Sequence, residues 1–248
     1  MKIFLTGYSG FVGRYLNQFF SNNYEVVNID LRKLNDKYDL NNEIFLKNFQ
    51  NNDVIINCAA SLRPKNKSDF YINSEFPHQL IKHLKNKNLK NKFIHLSSIN
   101  TTVDYLKDNY SLSKKKCEKL IQDDEVIILR LPLIIEKNNQ NELLPNGQLS
   151  IFFNYLNFSF LPIYPMVYPG NYFNPIDLSK LAEFILELIN SNQTKGTFNL
   201  TGNTKYTSWD LFKKIANKKN KRVIKIKTNF INKMIPKILM KIVYRYNF

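Results

Sequence analysis

Glycine is scarce in this chain, seven residues in 248, and three of the seven stand in one short run as Gly7, Gly10 and Gly13. Cysteine is scarcer: Cys58 and Cys117 cannot build the disulfide framework that staples small secreted folds. The three histidines, His78, His83 and His95, show no metal-ligand spacing, so no metal is expected. No uninterrupted apolar stretch approaches the ~18 to 20 residues needed to span a bilayer. No charged, apolar and small-residue leader precedes the first strand, which begins at residue 2, so a cytoplasmic location is expected. No long internal repeat is visible, which excludes solenoids and propellers.

Acidic residues are also few, 20 against 36 lysines and arginines, for a formal charge of +16. That balance favours anionic partners: nucleic acid, a membrane surface or phosphorylated small molecules. Lysine and asparagine are spread throughout, however, as in KHLKNKNLKNK from Lys82 to Lys92 and NKKNKR from Asn217 to Arg222. No basic run carries a nucleic-acid motif, so nucleic acid is not expected as a partner. With 44% apolar and 14% aromatic residues the chain has enough for a substantial core, in one domain or one domain with a small lobe.

What is there begins with the glycines. Ile3 to Leu5 reads as a buried strand and Phe11 to Phe20 has helical apolar spacing, so the run Gly7-Tyr8-Ser9-Gly10-Phe11-Val12-Gly13 lies at a strand-to-helix turn. Such a turn aims a helix N-terminus at an anion. Gly7 permits the tight turn, Gly10 lets backbone approach a pyrophosphate, and Gly13 lets the helix pack closely on the sheet. The whole run is expected to bind a dinucleotide.

Glu25 to Ile29 is a second buried strand ending in Asp30, an acid suited to the ribose hydroxyls of NAD. Arg32 and Lys33 beside it would suit the phosphate of NADP, so the preference for NAD is slight. Tyr38-Asp39-Leu40 reads as a short third strand and Glu43 to Phe49 as a brief helix. Asp53 to Ala60 is an apolar strand whose small last residues, Ala59 and Ala60, let a cofactor lie close. A helix from Ile72 to Leu84, a strand from Phe93 to Leu96 ending at Ser97-Ser98, a helix from Ser111 to Gln122 and a strand from Val126 to Leu131, closed by Pro132, follow. Strands alternating with helices predict an α/β fold: a Rossmann-type doubly wound parallel sheet with a small C-terminal substrate-binding lobe. Leu161 to Pro175, crowded with proline and aromatics, reads as loops forming one wall of a cleft. A helix from Leu178 to Ile189, a strand near Thr197 to Leu200 and a helix from Ser208 to Asn217, with Ser208 as N-cap, complete the pattern. The expected division is residues 1–135 for the dinucleotide-binding core, 136–229 for the lobe with a return segment at about 174–190, and 230–248 for a tail.

The chemistry lies in Tyr110-Ser111-Leu112-Ser113-Lys114, where a phenol and an ammonium four residues apart share one helix face. A nearby cation is expected to draw the phenol down from its usual ~10 towards working pH, where it can exchange a proton with a substrate alcohol or carbonyl. Ser98, at a strand end facing the same cleft, would hydrogen-bond that oxygen.

In this order the residues resemble the extended short-chain dehydrogenases/reductases, the NAD-dependent epimerase/dehydratase family, which act on nucleotide sugars. The matching segments are TGYSGFVG at Thr6 to Gly13, DVIINCAA at Asp53 to Ala60, Asn73, FIHLSS at Phe93 to Ser98, YSLSK at Tyr110 to Lys114, LRLP at Leu129 to Pro132, NPIDLSKLAEFI at Asn174 to Ile185 and GTFNLTG at Gly196 to Gly202. The resemblance covers roughly residues 1–220. It implies that Ser98, Tyr110 and Lys114 are the catalytic triad, with Lys114 also gripping the nicotinamide ribose. It further implies that Asp39 and Leu40 border the adenine pocket and that Asn73 and Pro132 belong to the cofactor-binding set. The chain departs from the family in having eleven residues between Ser98 and Tyr110, fewer than usual, and no tyrosine-glycine after the serine strand.

The acid pair that sugar 4,6-dehydratases carry after the catalytic hydroxyl residue is replaced by Ile99 and Asn100, which disfavours dehydration. The short second crossover looks like that of dTDP-4-dehydrorhamnose reductases and related keto-sugar reductases. The resemblance therefore implies reduction of a 4-keto sugar nucleotide with NAD or NADP as cofactor, its reduced form giving the hydride, in surface-polysaccharide sugar biosynthesis, with Tyr110 as proton donor. Two alternatives stand beside it: a 4-epimerase that retains NAD, and a non-catalytic NAD(P)-binding protein.

The tail repeats Phe230, Ile231, Met234, Ile235, Ile238, Leu239, Ile242, Val243 and Tyr246 at helical spacing, with Lys233, Lys237, Lys241 and Arg245 as a basic ridge and Pro236 as a kink. Its apolar stripe is expected to pack on the lobe or on a second subunit, a homodimer being expected. The other reading is peripheral contact with an anionic membrane.

Overall fold

The computed structural model describes residues 1–31, 48–157 and 163–227. The expected strand at Tyr38 to Leu40, most of the brief helix after it, and the tail lie outside the described residues, as do Arg32, Asp39 and Leu40. The chain divides into two units: residues 1–131 with 178–200, and residues 132–177 with those from 201 onwards.

The first unit is a parallel sheet. Its strands are β1 (Lys2–Thr6), β2 (Glu25–Ile29), β3 (Val54–Asn57), β4 (Lys92–Ser98), β5 (Ile127–Leu131) and, further along the chain, β10 (Gly196–Asn199), in the order β10-β5-β4-β3-β1-β2. Every pairing is parallel. The apolar runs of β1, β3, β4 and β5 are what such a sheet requires, because strands covered on both faces cannot alternate with polar residues. Residues Ile3, Phe4, Leu5, Ile55, Ile56 and Ile94 are fully buried.

Helix α1 (Phe11–Phe20) buries Gly13, Leu16 and Phe20, one stripe of the helix, and packs with α5 (Leu178–Asn190). Helix α2 (Lys67–Asn86) extends beyond the expected Ile72 to Leu84, because Asn66 Oδ1 accepts from the Asp69 amide at 2.8 Å and starts the helix earlier. It packs with α3 (Asn109–Ile121) over Phe4, Ile55, Phe76, Leu80, Phe93 and Ile128. The return segment runs on to Leu200, since β10 pairs with β5 and completes the sheet.

The second unit holds β6 (Ile134–Ile135), α4 (Ser150–Leu156), β7 (Ile163–Tyr168), β8 (Tyr172–Phe173), β9 (Ile176–Asp177), β11 (Tyr206–Thr207), α6 (Ser208–Lys218) and β12 (Arg222–Lys227). Phe152, Leu156, Tyr164, Trp209 and Phe212 lie in its core. The stretch expected as loops is partly strand: β7 pairs in parallel with β12, and β8 antiparallel with β11. The expected N-cap Ser208 is instead the first helical residue. Thr207 caps α6, its Oγ1 accepting from the Asp210 amide at 3.0 Å while its own amide donates to Asp210 Oδ2 at 2.9 Å.

Candidate active site

Strand order reverses at β1, which is flanked by β2 and β3, so the carboxyl ends of β1 and β3 border the crevice where open α/β sheets bind ligands. Gly7 turns the chain there with φ at +68°, a conformation side chains resist, and a Cβ on it would lie 2.7 Å from the Ala59 amide nitrogen. Gly13 is tighter: its Cβ would meet Gly7 O at 2.1 Å. Gly10 is the N-cap of α1, provides no side-chain oxygen to the first turn, and no acidic residue occupies that turn. A helix start with a positive dipole end, no capping side chain and a turn too close for a Cβ at Gly7 or Gly13 fits the pyrophosphate of a dinucleotide. Tyr8, Phe11 and Val12 complete the turn and are half-buried, whereas Ser9 is exposed.

Beneath the crevice runs a buried polar chain. Thr6 Oγ1 accepts from the Ala59 amide at 3.3 Å, so its proton goes to Asn57 Oδ1 at 2.5 Å. The Asn57 amide nitrogen is thereby the donor to His95 Nδ1 at 2.8 Å. The neutral ring keeps its proton on Nε2, which faces Cys117 Sγ at 3.5 Å. Burial, with the Lys114 charge adding to it, holds the His95 imidazole well below its ordinary range. Folded protein therefore keeps His95 neutral where the unfolded chain takes a proton. Stability is full above about pH 6.5 and falls by about 1.4 kcal/mol for each pH unit below that, for as long as the folded ring resists protonation. We expect urea unfolding at pH 7.5 and 5.0 to show a steeper acid loss in the parent than in His95→Gln; equal slopes would contradict it. Burial also pushes the Cys58 and Cys117 thiols up to about 12, which leaves neither as a nucleophile at neutral pH.

The proposed reacting groups come from β4 and α3. Asp108 caps α3, its Oδ1 accepting from the Ser111 amide at 3.0 Å, and so places Tyr110 in the first turn. Lys114 follows one turn on, 1% exposed, its Nζ donating to Leu96 O on β4 at 2.9 Å. Ser98 ends β4, and its hydroxyl is near enough to the Tyr110 phenol to favour the ionised form. The expected fall of that phenol is corrected. Burial pushes it up to about 12, the Ser98 hydroxyl opposing and the Asp108 charge adding to the rise. Desolvation of the half-buried ring outweighs any help from Lys114, whose ammonium is committed to the Leu96 carbonyl and is itself drawn down by burial.

Asn73 is buried on α2, and protein groups occupy its amide: Oδ1 accepts from the Ser61 amide at 2.7 Å, while Nδ2 donates to Ser61 O at 2.8 Å and to Ser113 Oγ at 3.0 Å. It anchors the segment after Ala60 to α3. Ala59 is buried and Ala60 exposed at the end of β3; Asp30 is half-buried after β2; Pro132 opens the second unit. Sequence reasoning did not single out Glu118, which accepts from Ser97 and Thr101 on either side of Ser98, or Arg130, which is paired with Glu118. The spacing of Glu118, one helical turn beyond Lys114, was the available signal. Among the described residues no cluster of His, Cys, Asp and Glu could hold a metal, and no helix is long and apolar enough to cross a membrane.

Residues 3–121 match the sequence profile of the NAD dependent epimerase/dehydratase family. No curated protein matches the chain. Solved structures with the same fold include a hypothetical dTDP-4-dehydrorhamnose reductase from Sulfolobus tokodaii, at 22% identity and TM-score 0.67, covering 91% of this chain and 86% of that one. A dTDP-4-dehydrorhamnose reductase from Bacillus anthracis in complex with NADP aligns at 17% identity and TM-score 0.71, over 92% and 85% of the two chains. A UDP-glucuronic acid 4-epimerase from Bacillus cereus in complex with NAD aligns at 19% identity and TM-score 0.67, over 92% and 86%. Residues 3–121, just under half of the chain, are thus similar in sequence to the NAD dependent epimerase/dehydratase family.

Proposed function

We propose that the protein reduces the 4-keto group of a nucleotide-activated sugar, with Tyr110 as the proton donor. The observation that carries this reading is the Ser98 hydroxyl brought beside the Tyr110 phenol, on the helix that also buries Lys114. NADH or NADPH, held through the Gly7, Gly10 and Gly13 turn, supplies the hydride when bound. Tyr110, with its phenol raised to about 12, holds its proton at neutral pH and can give it to an alkoxide as general acid. Ser98 orients the oxygen that receives it, and the Lys114 ammonium provides positive charge beside the phenolate that remains.

The neighbouring folds support the substrate class: two are named for dTDP-4-dehydrorhamnose reduction and one for 4-epimerisation of UDP-glucuronic acid. Ile99 and Asn100 after Ser98 provide no acid pair for dehydration. The cofactor content of purified protein separates the remaining reactions. A reductase is expected to release little nicotinamide nucleotide on denaturation and to need NADH or NADPH added. Release of about one NAD per chain, with interconversion of 4-epimers and no added cofactor, would replace this reading by an epimerase.

A further inference from the structure

Glu118 is a buried carboxylate on α3 that the proposed proton transfer does not use. Its Oε1 accepts from Ser97 Oγ at 2.5 Å and from Thr101 Oγ1 at 3.0 Å. Arg130, on β5, clamps it from the other side, with Nε 3.0 Å and Nη2 2.6 Å from Oε2 and Nε 3.2 Å from Oε1. Arg130 is steadied in turn by Asn199 Oδ1 on β10, which accepts from Nη1 at 3.4 Å. Ser97 and Thr101 bracket Ser98. Ser97 precedes it, and Thr101 shares its hydroxyl proton between Glu118 and the Ser98 carbonyl oxygen, 2.8 Å away.

One carboxylate therefore ties both sides of the Ser98 turn to the helix that carries Tyr110 and Lys114. Without it, Ser98 on β4 and Tyr110 on α3 would keep their spacing through packing and the Lys114 bond to Leu96 O alone. Stability does not account for such a pair, because the desolvation of a buried carboxylate and a half-buried guanidinium often cancels their attraction and an apolar pair of similar volume serves as well. Directional bonds to two hydroxyls beside a reacting serine are what the charges add.

We propose that Glu118, gripped by Arg130, is a positioning residue that sets the Ser98 hydroxyl against the Tyr110 phenol. The proposal rests on the reading of Ser98, Tyr110 and Lys114 as the reacting groups. The experiment cuts the strut and leaves the ion pair: Ser97→Ala/Thr101→Val removes both hydroxyls and keeps Glu118 with Arg130. Initial rates of NADH and NADPH oxidation are measured with dTDP- and UDP-linked 4-keto sugars, together with melting temperature. The expected result is a kcat about 10- to 100-fold lower, with both KM values within about twofold and melting within a few degrees, the signature of lost alignment rather than lost fold or affinity. Thr101→Ser, which keeps the hydroxyl, should retain the parent's kcat. Glu118→Gln should lose kcat and melting temperature together, since its amide sets a donor against the guanidinium.

The proposal is overturned if the double variant keeps kcat within about twofold of the parent, or if Thr101→Ser loses as much as Thr101→Val. A crystal structure of the double variant is the second readout and needs no substrate. The Ser98 and Tyr110 hydroxyls should stand farther apart than in the parent, and an unchanged separation would overturn the strut. Failure of the parent to oxidise either nucleotide with any of the sugars would instead remove the catalytic reading.

Discussion

Tyr110→Phe is expected to lower turnover by about 10²- to 10⁴-fold while leaving nicotinamide binding and melting temperature close to those of the parent. Phenylalanine keeps the ring in the first turn of α3 and removes only the phenol oxygen on which Ser98 acts. Asp108 still caps the helix, so Lys114 stays in its place against Leu96 O. What is lost is the proton donor. Water in its place lacks the fixed position that makes the transfer efficient, which is why the loss falls on kcat. Steady-state rates with a 4-keto sugar nucleotide, and fluorescence titration with NADH and NADPH, check the two halves of the expectation. Activity kept within a few-fold would remove Tyr110 from the proton-donor role.

The second large effect separates two glycines three residues apart in sequence. Gly13→Ala is expected to destabilise the fold and abolish dinucleotide binding, because its Cβ would sit 2.1 Å from Gly7 O, 2.7 Å from Gly7 C and 2.8 Å from Tyr8 Cα. All three are backbone atoms of the turn, so α1 must move away from β1 or the cradle must open. Overpacking of this kind costs about 1–3 kcal/mol before any loss of ligand contacts. Gly10→Ala is expected to fold almost as well as the parent, since its Cβ meets only Gly7 O, at 3.2 Å. It should still weaken NAD(P)H binding, as the methyl would stand where backbone approaches the pyrophosphate. Thermal unfolding and nicotinamide titration of both variants check the contrast. Equal melting of the two would contradict the packing role given to Gly13.

The parallel core was legible because strands buried on both faces read as unbroken apolar runs, and LTGYSGFVG placed the turn between the first of them and its helix. The spacing of Tyr110 and Lys114 was legible too, since a four-residue interval on a helix fixes a shared face. What lay beyond the sequence was tertiary. The rise of the Tyr110 phenol follows from how far the folded chain buries the ring, which no spacing of residues encodes. Asn73 stood out through the resemblance, yet its amide binds Ser61 and Ser113, partners brought to it by the folding of α2 against α3. Glu118 was visible as one acid among several until β5 brought Arg130 to it.

The second unit was the least legible. β6, β8, β9 and β11 have two residues each, too few to display a period, and they exist because distant segments pair, as Tyr206 with Phe173. β7 contains Pro165 among apolar residues and was read as loop. Its pairing with β12 makes it a strand, and proline is tolerated where a strand has a single partner.

The account as a whole stands on one stoichiometry. Purified protein is mixed with a limiting amount of a dTDP- or UDP-linked 4-keto sugar and excess NADH or NADPH, and absorbance at the dihydronicotinamide band is followed to completion. One nucleotide oxidised for each sugar reduced, with the product carrying a 4-hydroxyl, is the predicted result. No oxidation with any such sugar, together with no binding of either nicotinamide nucleotide, would contradict the central claim.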